Sequence, residues 1–245
     1  PHKFTATAAF VSDYRSRGIS QTFFHAAVQG ELKYTHASGF YFKSWGSNTD
    51  GTSNVFNNAS LEWDLSLGFT HRLFCTSAQY DVGLLYYYYP GGEARVPANT
   101  SYDTLEYYIA VSYKGFEIRL SQTLTDFYGN NSSNPPENWD KFRPSRPNGH
   151  SFGSPYLEAN LELDICPKWE VVFHVGYQAV TNYPQLNYLD WSATITREFE
   201  WFEINLSYAA TNASKTFYSV PNSAFRPKRI YLGAGGIIVG INRSF

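Results

Sequence analysis

The chain has 245 residues, a net charge of −2 and 18% aromatic residues, among them 20 tyrosines. This near-neutral balance, without a basic stripe, excludes nucleic acid as an expected partner. No run approaches the roughly 18 apolar residues of a membrane helix, but barrel strands alternate and carry a weak hydropathy signal, so the mean hydropathy of −0.37 leaves a membrane barrel open.

Apolar and polar residues alternate from the beginning of the chain. Because successive strand side chains point to opposite faces, this pattern predicts strands over 4–17, 26–35 and 40–47 with an apolar outer face and a polar inner face. The inward charged residues singled out in this part of the chain are Asp13, Arg15, Arg17, Glu31 and Lys33.

The clearest strand follows over 61–73, where Leu, Trp and Phe alternate with polar residues that include Glu62 and Asp64. A wall of about ten or more alternating residues matches the span of a tilted membrane strand. Further strands of this kind are predicted over 79–89, 104–113, 116–127, 157–164, 169–178, 189–195 and 202–208. Their inward residues include Asp81, Glu106, Arg119, Glu158 and Glu162.

The last stretch, 228–245, ends on an aromatic residue and is apolar at every second place before it. Phe245, Ile241 and Val239 share its outer face. This pattern predicts a closing strand that pairs with the first one and leaves no open edge. The total is then twelve strands, an even number, as is typical of bacterial barrels. A terminal Phe of this kind resembles the assembly signal of outer-membrane barrels.

Connection lengths predict the topology. Tight links at 38–39, 74–77, 114–115, 166–168 and 198–201 alternate with longer ones. Short periplasmic turns and longer outside loops are typical of outer-membrane barrels. We therefore expect one domain over 1–245, an all-β, 12-stranded antiparallel transmembrane barrel with both termini in the periplasm. Because the chain starts at Pro1, we expect a mature form whose export signal has been removed.

A soluble β-sandwich or lipocalin-like barrel is the alternative fold. It would have to hide an outward face of Leu, Trp, Phe and Tyr on every strand. The two cysteines, Cys75 and Cys166, match no metal spacing. They fall in turns a third of the way round a twelve-stranded barrel, roughly 20 Å apart, and a disulfide needs Cα atoms within about 7 Å, so we predict two free thiols.

Five segments carry a family resemblance: FVSDYRSRGISQT at 10–22, AVQG at 27–30, SGFY at 38–41, WGSN at 45–48 and YDVGLLYYYYP at 80–90. In these segments the chain resembles the TorF family of porins. The match is specific over the first 90 residues and diffuse beyond them. The resemblance implies an outer-membrane channel and brings no catalytic residues.

The predicted lumen contains about 14 acidic and about 6 basic side chains. Pairing can use only some of the acids, and unpaired ions are costly in a dry interior, so we expect water inside. We hypothesise that Arg15 and Arg17 extend over a strip of small residues on the closing strand, toward acids of the far wall, and that loop 129–152 folds in. The alternative is that both arginines only satisfy Asp13 and neighbouring strands.

These features favour a passive channel for small polar solutes or ions in the bacterial outer membrane, with no catalytic residue, metal or cofactor. Membrane lipids and the barrel-assembly machinery are the other expected partners. A binding barrel, an adhesin or receptor working through its loops, is the second interpretation. A hydrolase is the third: a phospholipase needs Ser beside His71 or His174, and a protease could use Asp126, Asp140 and His150.

Overall fold

A computed structural model describes residues 2–50, 59–92, 101–136, 149–223 and 226–245. This part of the chain is almost entirely strand and loop, with two 3-10 turns, η1 (Phe127–Gly129) and η2 (Pro184–Leu186). Across the described ranges, no helix has the length and apolar character needed to span a membrane.

The strands follow in chain order. The first eight are β1 (Lys3–Val11), β2 (Arg15–Ser16), β3 (Ile19–Ser20), β4 (Ala27–Thr35), β5 (Phe40–Asn48), β6 (Leu61–Arg72), β7 (Gln79–Tyr88) and β8 (Thr104–Tyr113). The remaining strands are β9 (Phe116–Thr123), β10 (Pro155–Cys166), β11 (Trp169–Gln178), β12 (Tyr188–Glu198), β13 (Glu203–Thr211), β14 (Ser219–Ser223), β15 (Arg226–Tyr231) and β16 (Gly236–Ser244).

Twelve of these strands close into an antiparallel barrel in the order β1-β16-β13-β12-β11-β10-β9-β8-β7-β6-β5-β4. The predicted closed antiparallel barrel of twelve strands is therefore confirmed. Strand β6 illustrates the reason, because Leu67 is 58% exposed on the outside while Glu62 is fully buried inside. The first and last strands pair from Thr7 opposite Ser244 to Val11 opposite Gly240, which removes the open edge.

The first strand ends earlier than predicted. It stops at Val11, and β2 and β3 form a separate hairpin that pairs Arg15 with Ser20 and Ser16 with Ile19. We call residues 12–22 the inner hairpin. The prediction of one strand over 4–17 is wrong because Asp13 forms an ion pair with Arg15, two residues on, and Gly18 supplies a turn with positive φ.

The closing strand also begins later than predicted, at Gly236. Residues before it form β15, which pairs with β14 outside the barrel wall, so the prediction of a closing strand from 228 is wrong. Leu232 is 2% exposed and packs in an apolar cluster instead of lining the wall. Gly233 and Gly235 lie between the two strands, where a Cβ would overlap the hydroxyls of Tyr231 and Tyr208 respectively.

Three apolar clusters lie at the barrel end where the long connections are. The first contains Ile19 of the inner hairpin and Phe23, which directly follows the hairpin, together with Val220 and Leu232 from the β14–β15 region. The second joins Phe127 of η1 to Tyr183 and Leu186, and the third joins Tyr87 and Tyr89 to Ala59. The described parts of the long connections therefore pack over this end of the barrel.

The opposite end carries the short turns, and both cysteines lie there. Cys166 ends β10, and Cys75 lies in the turn between β6 and β7. Both thiols are free and exposed, as predicted.

Candidate functional site

The barrel encloses a polar cavity of about 550 Å³ beside the inner hairpin. Its lining combines the hairpin with inward side chains from most of the wall, and charged groups of both signs meet there. The charged and aromatic lining residues are Asp13, Tyr14, Arg15, Arg17, Lys43, Trp45, Tyr87, Arg119, Tyr156, Glu158, His174, Asp190 and Trp191.

The inner hairpin is seated against the wall at its turn. Arg17 and Gly18 have φ of 47° and 75°, the left-handed region that suits a two-residue hairpin turn. A Cβ on Gly18 would lie 2.8 Å from Cβ of Asp190 and would also overlap Thr211. Only glycine therefore fits at this contact between hairpin and wall.

Arg17 crosses the lumen. Its guanidinium donates to Glu106 at 2.6 Å and to Gln178 at 2.7 Å, and it lies 4.2 Å above the ring of Tyr156. Glu106 is on β8, five strands from β1 in one direction round the ring and seven in the other. The ion pair is buried, with side-chain exposures of 11% and 1%. Arg17 thus links the hairpin to the opposite wall.

Arg15 stays at the near wall, contrary to the expectation that it extends across. It pairs with Asp13 at 2.7 Å and donates to the carbonyl oxygens of Ala234 at 2.7 Å and Ala209 at 3.2 Å. Its guanidinium does lie over the glycine strip, because a Cβ on Gly236 would be 2.8 Å from Nη2. Its charge is therefore satisfied locally, as the alternative interpretation had it.

Three carboxylates that each have a buried oxygen lie near the Arg17 contact. Glu62 accepts from Tyr14 at 3.0 Å, but its second oxygen has no hydrogen-bond partner. The same is true of one oxygen each of Asp64 and Glu106 within the described structure. Glu62 and Glu106 are at most 1% exposed. Buried carboxylate oxygens need a donor, so this group requires water or a cation between the strands.

A band of polar contacts that includes charges of both signs follows the inner wall of the barrel. Asp81 accepts from Tyr41 at 3.0 Å, and Tyr41 is hydrogen-bonded in turn to Tyr108. Arg119 lies 3.8 Å above the Tyr108 ring and 3.9 Å from Glu158. The band therefore runs along the wall from β5 to β10 with both signs represented.

His174 continues this band on β11. Its Nε2 is 2.9 Å from Asp190, and its Nδ1 is 2.7 Å from Asn160 and 3.7 Å from Glu158. Two carboxylates, an amide and the hydroxyl of Tyr156, which is 3.2 Å from Nε2, thus surround the ring. His174 is therefore a member of a charge network; in the described structure no Ser or Cys side chain is hydrogen-bonded to it, although Ser192 lies opposite it on β12.

The remaining predicted lumen residues, Glu31, Lys33 and Glu162, have other contacts. Glu31 is 3.7 Å from Lys43, and Lys33 lies 4.6 Å above the ring of Tyr41. Glu162 is exposed, and its backbone amide donates to Gly115 in a short turn. None of these three residues is among the contacts of Arg17. The predicted lumen residues therefore do not all meet at one site.

Two residues at the centre of the site were not predicted as site residues, namely Tyr156 and Gln178, both partners of Arg17. The predicted strand began at Leu157, one residue after Tyr156. Gln178 is the last residue of the predicted strand over 169–178, but nothing in the alternation indicates that an arginine from the first segment meets it.

The residue types considered for hydrolysis are separated. His71 is exposed and contacts the carbonyl of Arg72. Asp126 and His150 do meet, at 3.0 Å, but in the outer loops, where Asp126 also accepts from the backbone amides of Ser151 and Phe152. Asp140 lies outside the described residues. The described residues also contain no group of three or more His, Cys, Asp or Glu able to hold a metal ion.

The closing strand presents its apolar face outward. Phe245, Val239 and Ile241 are 67%, 49% and 43% exposed. Phe245 exchanges two backbone hydrogen bonds with Ala6 of β1, at 2.8 and 3.3 Å. The terminal residue therefore takes part in the pairing that closes the barrel.

Comparison with known proteins places the chain in a family and a fold. The family model Gcw_chp, described as a bacterial protein of unknown function, matches residues 1–245. No curated protein matches the sequence.

Solved porin structures share the architecture. The KdgM porin in complex with disordered oligogalacturonate is similar with a TM-score of 0.54 at 8% identity, over 99% of both chains. The KdgM porin alone gives 0.53 at 7%, and the NanC porin gives 0.52 at 9%, each over 98% of this chain and 99% of the other. At such identities the likeness concerns the fold, that of an outer-membrane porin barrel.

Proposed function

Because the chain belongs to Gcw_chp, a family of bacterial proteins of unknown function, we propose a function from its own residues: a porin-like channel for passive diffusion of small hydrophilic solutes or ions. The observation that carries this proposal is the polar cavity of about 550 Å³ inside a closed barrel whose outer face is apolar. Such an interior suits water and polar solutes, and such an exterior suits lipid.

The location that fits this architecture is the bacterial outer membrane. We place the short turns and both termini in the periplasm and the long connections outside, since this is the usual arrangement of such barrels. The apolar outer face then contacts membrane lipids, and the closing strand with Phe245 is the part that the barrel-assembly machinery would engage. Similarity to the KdgM and NanC porins supports this placement.

The inner hairpin is the proposed constriction. It occupies the lumen beside the cavity, and Arg17 anchors it to Glu106 on the opposite wall. The surplus of acidic over basic residues among the inward positions favours cations over anions in the lumen. Opposed charges around the hairpin favour polar over apolar solutes.

Liposome swelling tests this proposal. Proteoliposomes that contain the folded protein are diluted into isotonic solutions of neutral sugars of increasing size. We expect swelling with the smallest solutes and a steep fall with size, because the hairpin narrows the lumen. If proteoliposomes and protein-free liposomes swell at the same rate in every solute, the protein is not a diffusion channel.

A binding barrel is the second candidate, and the packing of the outer connections favours it. Tyr183 is buried and donates to the carbonyl of Gly149 at 2.9 Å, so two connections are held together. Ordered connections of this kind could serve as a recognition surface. A barrel that binds a ligand outside and passes no solute in the swelling assay would support this candidate instead.

A further inference from the structure

Two arginines point outward at the end of the barrel that carries the short turns. Arg197 pairs across the sheet with Trp169 and Ile204, which are exposed on the outer face. Arg243 is exposed beside the closing end of β16 and pairs with Ala8 of β1. We define the arginine patch by these two residues and the rings around them: Trp169, Arg197, Phe199, Trp201, Arg243 and Phe245.

Each guanidinium lies over aromatic rings. The central carbon of Arg197 is 5.0 Å from the ring centre of Trp169 and 5.7 Å from that of Phe199. Arg243 lies 4.7 Å from Phe245 and 5.6 Å from Trp201. Such contacts hold a flat cation by its face and leave the N–H groups at its edge free to donate.

Neither arginine has an anionic partner. In the described part of the chain, no carboxylate lies within 4.0 Å of either guanidinium, whereas Arg15, Arg17 and Arg119 in the lumen all have one. Glu198 follows Arg197 but lies on the other side of the strand. Two cations without a carboxylate partner, beside an apolar surface, attract an anion from the surroundings.

We propose that the arginine patch binds the phosphate of an anionic phospholipid. The guanidinium edge matches phosphate oxygens in a bidentate geometry. Directly beyond it, Ile204, Leu206 and Ile241 form an exposed apolar surface on adjacent strands, where acyl chains would lie. A free phosphate ion would use the charges alone, whereas a lipid uses both surfaces. The proposal does not depend on whether the barrel conducts.

Native mass spectrometry of the folded protein tests the site. Phosphatidylglycerol and phosphatidylcholine are titrated in separate experiments onto the wild type, R197Q, R243Q and the double variant. The matched control is K215Q, because Lys215 also lies on a ring, 5.6 Å from Tyr231, but near the long connections. We expect retention of phosphatidylglycerol to fall about fivefold for each arginine removed and to be unchanged in K215Q.

A heat-modifiability gel first selects variants that are folded. R197K/R243K serves as a second variant in case glutamine prevents folding: it keeps the charge but loses the bidentate fork, so intermediate retention is expected. Equal retention of phosphatidylglycerol by the wild type and the folded variants, no preference over phosphatidylcholine in the wild type, or full displacement of the lipid by millimolar inorganic phosphate would each overturn the proposal.

Discussion

Arg17 and Glu106 are 89 residues apart in the chain and form an ion pair of 2.6 Å across the lumen. The pair joins the inner hairpin to β8, so the hairpin is held at both sides of the barrel. Breaking a buried pair by removing one partner costs about 3–5 kcal/mol, because the other charge is left without compensation.

We expect R17Q and E106Q each to loosen the inner hairpin and to raise single-channel conductance. The double variant R17Q/E106Q should lose less stability than the sum of the two single variants, because it leaves no unpaired ion. R15Q is the comparison, since Arg15 contacts only its own side of the lumen. Single-channel recordings measure the conductance, and unfolding midpoints measure the stability of each variant. Unchanged conductance in R17Q would show that the inner hairpin is not the constriction.

The close contact between Gly18 of the inner hairpin and the barrel wall gives a second prediction. G18A forces a side chain into a left-handed turn and against Asp190, so we expect a loss of about 1–3 kcal/mol and a displaced hairpin. G30A is the matched control, because a Cβ on Gly30 meets nothing within 4 Å. Thermal unfolding of both variants checks this. Equal midpoints for G18A and the wild type would show that the turn is not tightly seated.

The barrel could be predicted from alternation, but the inner hairpin could not. Alternation is a property of each strand alone, and β6 shows it over its full length. At 12–22 the pattern of the wall continues through Asp13, Arg15 and Arg17, so the polar residues look like an ordinary inner face. The ion pair between Asp13 and Arg15 and the turn at Gly18 direct the chain away from the wall. Both are held by contacts with the surrounding barrel wall, which the local sequence does not show.

From the sequence, the kind of contact that Arg17 makes could be predicted, but not all of its partners. The inward charges predicted a pairing between the first segment and acids of the far wall, and Glu106 is one of those acids. Its other two partners, Gln178 and Tyr156, depend on how far the hairpin enters the lumen. The register of three distant strands sets this depth, and no local pattern encodes it.

Asp126 anchors an outer loop and gives a pH prediction. Burial raises its pKa, but hydrogen bonds from His150, Asn131 and the Ser151 amide lower it, and the net pKa is below the usual value. A lowered pKa stabilises the folded loop above the unfolded value of about 3.9, and this contribution disappears as the pH falls through the folded pKa. We therefore expect the loop to lose stability progressively as the pH falls below about 4.

Hydrogen exchange of residues 149–153 between pH 3 and pH 6, corrected for the intrinsic rate, measures this opening. In D126N the protection should be weaker near pH 6 and should no longer change with pH. Wild-type protection that is the same at both ends of this range would show that Asp126 does not hold the loop.

Closure of the barrel gives the fourth prediction. Deleting Phe245 removes its paired hydrogen bonds with Ala6, and I241D places a charge on the outer face, so both changes should reduce insertion into the outer membrane. I241V is the control, because it keeps an apolar side chain there. The measurement is the heat-modifiable band in isolated outer membranes, and a full band from the Phe245 deletion would show that the terminal residue is dispensable.

The fifth prediction concerns charge selection. If the inward acids outnumber the inward bases as proposed, the reversal potential of the wild-type pore in a salt gradient should have the sign of a cation-selective channel. The effect should be larger at 0.01 M than at 1 M salt, because the screening length falls from about 30 Å to about 3 Å. R15A/R17A should strengthen the cation preference. If R15A/R17A has the same reversal potential as the wild type at low salt, the two arginines do not contribute to ion selectivity.

The central claim is that the protein conducts, and wild-type protein in a planar bilayer tests it most directly. We predict stepwise current increases on insertion, a linear current–voltage relation at moderate voltage, and cation preference at low salt. Protein that is folded by heat-modifiability and inserted in the bilayer, yet gives no steps at any voltage or salt concentration, would contradict the channel.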